Sequence, residues 1–285
     1  MIFNTKWQAA VEKKNSVLCA GLDPSDLASG AKEALAQGVD KCEWAMDYVH
    51  AVAPYCAAIK PNKRFWEAAG DEATLSEISD LAHSHGMVVI DDSKLADIGS
   101  TNAHGFYNSW GRNVDAVTLA PYAGNMAEAA GQAHKLSLGV ITMCIMSNPE
   151  YAREKNKLVP VDDDAEFDSD DLVHVKLRTY VPQYIWLASE AKKHGIDGLV
   201  LGARTATNHI EEEELAKARH YAGDSMIALV PGVGAQGGEA GSIFKYFGKD
   251  GAIINVGRDL MFPKGKTQAE AARDYRDMLN TLRGK

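Results

Sequence analysis

Asp92 and Lys94 stand two residues apart in MVVIDDSK (87–94), a run whose apolar and β-branched residues read as a strand. Side chains two apart on a strand share a face, so Val88, Ile90, Asp92 and Lys94 form one set, and Asp91 and Ser93 point the other way, towards covering helices. Opposite charges placed close together in a poorly hydrated site keep one another ionised, whereas a lone charge there shifts its pKa towards neutrality. A lysine held protonated in this way can deliver a proton to a carbon that develops negative charge, and a neighbouring carboxylate can repel a carboxylate of the substrate. Three more charges belong with this pair: Asp23 at the end of SVLCAGLD (16–23), Lys60 at the end of CAAIK (56–60), and Asp97 in the turn after Lys94. A structural salt-bridge cluster fits the same pattern.

A second constellation lies near the C-terminus, in PGVGAQGG (231–238) and VGRDL (256–260). Gly232, Gly234, Gly237 and Gly238 allow close backbone approach to a ligand, Gln236 can donate from its amide, and Arg258 can make a bidentate contact, which together suit a phosphate ester. The glycines also match GxGxxG, with Asp259 lying 22 residues beyond Gly237. A dinucleotide fingerprint, however, opens the first βαβ unit of an open sheet, and this segment follows the seventh of eight candidate strands. His83 and His85 are two apart near a helix end and cannot share a face, so they read as partners of terminal carbonyls and not as metal ligands. The run Glu211–Glu214 reads as a solvated helix start, where acidic residues suit the dipole.

The elements that must position these groups form a regular series. Candidate strands fall at 16–23, 56–60, 87–94, 115–120, 139–146, 198–203, 226–230 and 252–256, with helical periodicity in segments such as 73–86, 171–195 and 208–223. Strict β/α alternation implies parallel strands with helical crossovers, and eight such units in this length favour a single (β/α)8 barrel domain over residues 1–285. Phe3 to Lys13 reads as an extra N-terminal helix across the barrel floor, and residues 147–171 as a long loop after strand five. In such a barrel the carboxyl ends of the strands carry the active site, which is where Asp23, Lys60, Asp92 and Lys94 fall.

Composition narrows the classes further. The 285 residues are 46% hydrophobic and 24% charged, an ordinary globular balance with enough length to bury a large core. No stretch approaches the ~20 consecutive apolar residues of a membrane span and the N-terminus has no secretory pattern, so a cytoplasmic protein is expected. Cys19, Cys42, Cys56 and Cys144 lack metal-type spacing and read as reduced, packing thiols. The net charge of −9 argues against nonspecific nucleic-acid binding. Residues 145–171 hold nine acidic and three basic side chains, so the rest of the chain carries only −3.

With these residues assembled, the sequence resembles the orotidine 5′-monophosphate decarboxylase family, in the style of its branch common in bacteria, over essentially its whole length. The resemblance rests on GLDP (21–24), IKPN (59–62), DSKLADIGST (92–101), PYAGN (121–125), MSNP (146–149), PGVGAQGG and VGRD. DxKxxD alone is shared with sugar-phosphate decarboxylases and synthases of the same barrel suprafamily; the combination is more specific. The resemblance implies conversion of orotidine 5′-monophosphate to UMP with no cofactor and no metal. It implies a charged tetrad of Lys60, Asp92, Lys94 and Asp97, with Lys94 as proton donor to C6, and a homodimer in which Asp97 acts across the interface with Ile98 and Thr101 beside it. Asp23 would hold ribose hydroxyls, Ser147 the pyrimidine edge, and Gln236, Gly257 and Arg258 the phosphate. Leu95-Ala96 departs from the Arg-Gly common in relatives, at the turn and not at the charged positions. Two alternatives stay open: a Mg2+-dependent sugar-phosphate enzyme, disfavoured by Lys60-Pro61-Asn62 where an acidic ligand is expected, and a nucleotide-binding relative without catalysis, disfavoured by the intact tetrad.

Overall fold

The computed structural model describes residues 2–25, 33–162, 166–176, 178–234 and 238–285. Along the chain run α1 (Ile2–Lys14), β1 (Leu18–Leu22), α2 (Lys41–Val52), β2 (Ala58–Pro61), α3 (Asp71–Ser84), β3 (Val88–Leu95), α4 (Gly99–Gly111), β4 (Ala116–Leu119), α5 (Met126–Lys135) and β5 (Gly139–Ile145). There follow α6 (Tyr151–Glu154), β6 (Leu158–Val161), β7 (Val173–Val175), β8 (Arg178–Pro182), α7 (Gln183–Lys193), β9 (Gly198–Leu201), α8 (Glu212–Ala222), β10 (Ile227–Pro231), α9 (Gly241–Phe247), β11 (Ala252–Val256), α10 (Arg258–Met261) and α11 (Gln268–Leu282).

Eight strands close a parallel barrel in the order β1-β11-β10-β9-β5-β4-β3-β2, and these are the eight expected from the sequence. All seven residues of β5 are buried, as strands must be when helices cover one side and barrel side chains fill the other. The helices turn an apolar stripe inward: α2 buries Ala45, Tyr48, Val49 and Val52, and α5 buries Met126, Ala129, Ala130 and Ala133, both at i, i+3, i+4, i+7 spacing. The Asp40 side chain accepts from the Cys42 and Glu43 amides and fixes where α2 begins.

The N-terminal helix lies across the floor as expected. Phe3 and Trp7 are fully buried there, Phe3 packs against Gly139 at the start of β5, and the Trp7 indole donates to the Asp250 carbonyl at 2.9 Å. Two floor aspartates cap strand ends: Asp115 accepts from the Val89 amide and Asp197 from the Val140 amide. His83 Nε2 lies 2.8 Å from Asp115 Oδ2, and His85 faces His50. His83 therefore meets a buried carboxylate of the floor, contrary to the terminal-carbonyl role expected of it, because α3 runs back to the barrel bottom where Asp115 waits.

The segment after β5 departs from expectation. Residues 147–171 are not a bare loop: they carry α6, β6 and a 3-10 turn at Ser169–Asp171, and β6 joins a three-stranded antiparallel sheet in the order β6-β8-β7. The expected helix over 171–195 begins only at Gln183. Its first half, VHV and RTYVP, is rich in β-branched residues that alternate in period two, and pairing with β6 decided its conformation. Asp163 and Asp164, two of the nine acidic residues of this segment, lie outside the described residues.

Candidate functional site

The carboxyl end of β3 is irregular where the chemistry concentrates. Its ladder to β4 pairs Asp91 with Val117 and Leu95 with Leu119, so extra residues bulge between them. Within the bulge Lys94 takes φ +48°, a left-handed conformation uncommon for a residue with a side chain. The bulge is pinned by β4, whose Thr118 hydroxyl accepts from the Lys94 amide at 2.9 Å and donates to Asp92 Oδ1 at 2.9 Å.

Asp92 is the hub. Its Oδ2 takes a bond from Lys60 Nζ at 2.5 Å, and its Oδ1 takes one from Lys94 Nζ at 2.6 Å. Burial alone would raise the Asp92 pKa, but the ammonium groups of Lys60 and then Lys94 outweigh it and hold the carboxyl well below the usual range. Lys60, itself buried, behaves as the mirror image: burial favours the neutral amine, and the Asp92 and Asp23 carboxylates overcome that and raise its pKa. Cys19, beneath them, is pushed up to about 12, chiefly by burial. Asp91 points to the helices, as its parity requires, and pairs with the buried Arg112 guanidinium and the Ser109 hydroxyl. The structural ion pair of this strand is thus Asp91–Arg112, and Asp92 faces the cavity.

That cavity, about 280 Å³, opens at the barrel mouth and gathers Asp23, Lys60, Asp92, Lys94, Ser147, Gly257 and Arg258 along its wall. Burial raises the Asp23 carboxyl above its ordinary value against the pull of Lys60, and its Oδ1 is buried with no partner among the described residues. An orphaned acceptor of this kind calls for a donor such as a ligand hydroxyl. Across the cavity the β10 loop turns through Gly232 and Gly234 at φ +97° and +121°, conformations open to glycine, which bring backbone to the wall beside Arg258. One side of the cavity can thus hold an anion, and the other sets a carboxylate between two ammonium groups. Among the described residues no group of three or more His, Cys, Asp or Glu side chains gathers as a metal would require.

The sequence matches the orotidine 5′-phosphate decarboxylase / HUMPS family over residues 16–275. The chain belongs to that family. An orotidine 5′-phosphate decarboxylase of Bordetella petrii is 31% identical over 299 residues, covering 99% of this chain and all of the relative, and one from an Azoarcus species is 32% identical over 296 residues, again covering 99% of this chain and all of the relative. The fold is that of a Leishmania donovani OMP decarboxylase structure, with a TM-score of 0.74, 24% identity and full coverage of both chains. The chain is therefore an enzyme of the decarboxylase family, built on the family's barrel.

For this family member, seven of the eleven residues singled out in the sequence come together in one cavity. Asp97, Ile98 and Thr101 do not: they lie exposed at the start of α4, outside the cavity wall of their own chain. Gln236, with Gly237, lies outside the described residues. Thr118 on β4 and Asn255 on β11 line the cavity and were not anticipated, and Met143, Val200 and Leu229 form an apolar part of its wall. Their signal was a single polar side chain near the carboxyl end of an otherwise apolar strand, AVTL and AIINV. Asp259 also lines the wall and accepts from the Tyr275 hydroxyl at 2.5 Å, a structural role and not that of a ribose partner in a dinucleotide site. Nor is Glu211–Glu214 merely solvated: Glu214 closes a capping box on α8 and pairs with the buried Lys155.

Proposed function

We propose that this cavity decarboxylates orotidine 5′-monophosphate to UMP, the closing step of UMP synthesis, without a cofactor. The observation that carries the reading is the Lys60–Asp92–Lys94 array at one side of a cavity whose other side is glycine backbone and Arg258. With the phosphate against Gly232, Gly257 and Arg258, and with ribose hydroxyls donating to Asp23, the pyrimidine reaches the array. Ser147 meets its edge.

In that pose the Asp92 carboxylate opposes the substrate's carboxylate, and departure of CO2 removes the repulsion. The C6–carboxylate bond breaks, its electron pair remains on C6, and the Lys94 ammonium transfers a proton to that carbon; the resulting amine regains a proton from solvent. The fixed ammonium groups favour the carbanion-like distribution over the bound substrate, which is where electrostatic preorganisation lowers a barrier. Asp97 serves the site of a second copy. Asn125 donates to the Asp97 carbonyl at 2.9 Å and Glu128 accepts from the Gly99 amide at 3.0 Å, so α5 fixes the segment that presents Asp97 outwards. Ile98 next to it, Tyr107 and Trp110 on α4 and Tyr122 are each about half exposed, apolar area that a homodimer would cover.

The test is conversion of orotidylate by chelator-treated protein, followed by loss of substrate ultraviolet absorbance. Turnover yielding UMP is expected. A folded preparation that converts orotidylate only when Mg2+ is added, or not at all, overturns the reading.

A further inference from the structure

We infer that Lys155 is a positioning residue: its buried ammonium latches the segment carrying Ser147 to the turn between β9 and α8, and so sets the geometry of the base end of the cavity. The inference rests on the proposed placement of the pyrimidine beside Ser147.

Lys155 follows α6 and is 3% exposed, yet it does not line the cavity. Its Nζ donates to the His209 carbonyl at 2.5 Å and to the Glu214 carboxylate at 2.6 and 2.7 Å. Glu214 Oε2 also accepts from the Glu211 amide at 2.9 Å, so the carboxylate that receives the lysine is the one that caps α8. A buried ammonium is retained only when it is fully paired, and here the partners come from two points of a distant segment, which the lysine holds to its own.

The other end of the latch is the cavity wall. His209 Nε2 lies 3.0 Å from the Asn148 carbonyl and in its Nε2–H tautomer donates to it. Ser147, one residue earlier, is wedged against β9: a Cβ on Gly202 would fall 2.9 Å from Ser147 Cβ, 3.0 Å from its amide nitrogen and 2.8 Å from Ile210 Cδ1. The turn between them is internally fixed, because Asn208 Oδ1 accepts from the Thr205 and Ile210 amides and its Nδ2 donates to the Ala203 carbonyl. Residues 202–210 and the segment at Ser147 therefore move as one piece, and Lys155 clamps that piece at the start of α8.

Binding of UMP, which has the base, is compared with binding of ribose 5-phosphate, which lacks it, by calorimetry. Lys155→Met is expected to weaken UMP by about tenfold or more while ribose 5-phosphate changes by less than roughly twofold. Glu214→Gln, which keeps an acceptor for the α8 cap but removes the charge, is expected to weaken UMP selectively by about threefold or more, and it decides the matter if Lys155→Met does not fold. Equal losses for both ligands, as a merely structural lysine would give, overturn the inference, and so does an unchanged ratio or an unaltered chain that binds UMP no better than ribose 5-phosphate. Orotidylate turnover by the unaltered chain is measured in parallel; its failure with the ligand discrimination intact counts against the decarboxylation reading and not against the latch.

Discussion

Asp92 receives two ammonium groups and a hydroxyl while nearly sealed from solvent, and that arrangement fixes what its neighbours can do. Removing one partner of a buried pair leaves an uncompensated charge, so Asp92→Asn is expected to destabilise the fold by about 3–5 kcal/mol at pH 7. The pH dependence has a defined sign. A carboxyl whose folded pKa is depressed contributes stability above its unfolded value near ~4 and loses it as pH falls towards the folded value. Denaturant unfolding of both proteins should therefore show a gap that is constant above about pH 5 and narrows below about pH 4; a pH-independent gap refutes the assignment. Lys94→Ala should abolish turnover while UMP still binds, and retention of near-original turnover removes Lys94 as proton donor. The partnership of Asp92 and Lys94 was legible from their spacing, though the means was not. The two meet across a bulge with Lys94 at positive φ, which a regular pleat does not describe. Thr118 went unread for a plainer reason: a threonine in a strand is ordinarily there for β propensity, so its place near the carboxyl end of an apolar strand did not stand out.

At the scale of elements, the barrel was legible because each strand is a short apolar run bounded by helical periodicity, and a parallel barrel buries such runs on both faces. The insertion was not, because its 3-10 segment is held by docking on α8 and not by a periodic pattern of its own. Asp171 is buried and accepts from the Tyr221 hydroxyl at 2.7 Å and from Lys217 at 2.6 Å, and the Asp168 amide donates back to the same hydroxyl at 3.1 Å. Tyr221→Phe deletes two of these bonds, one to a charged group, at a local cost of roughly 1.5–3 kcal/mol. Hydrogen exchange should then quicken at residues 168–172 while the amides of β3, β4 and β5 keep their protection, because opening is confined to the docked unit. Protection lost equally from the barrel strands would mean that the insertion and barrel unfold together.

At the scale of the whole molecule, the charge balance bears on the substrate and the placement of Asp97 on the proposed homodimer. The acidity of residues 145–171 leaves the rest of the barrel nearly neutral, so Lys60, Lys94 and Arg258 can attract an anionic substrate without a strong opposing field. Asp97 stands outside its own cavity, on a segment fixed by α5, and Ile98 beside it, Tyr107 and Trp110 on α4 and Tyr122 are large apolar side chains left exposed. In a two-fold dimer each site would take Lys60, Asp92 and Lys94 from one protomer and Asp97 from its partner. Lys94→Ala and Asp97→Ala, each inactive alone, would then complement one another. In a mixed dimer one site receives both altered residues, and the other receives Lys94 from the Asp97→Ala chain and Asp97 from the Lys94→Ala chain, which restores it. With equal co-expression and random pairing half of the dimers are mixed and half of their sites are intact, so turnover should recover to about a quarter of the unaltered rate. Tagging the two chains differently and isolating the mixed dimer raises the expected value to about half. A mixed dimer as inactive as its parents would show that Asp97 works within its own chain or not in the site at all.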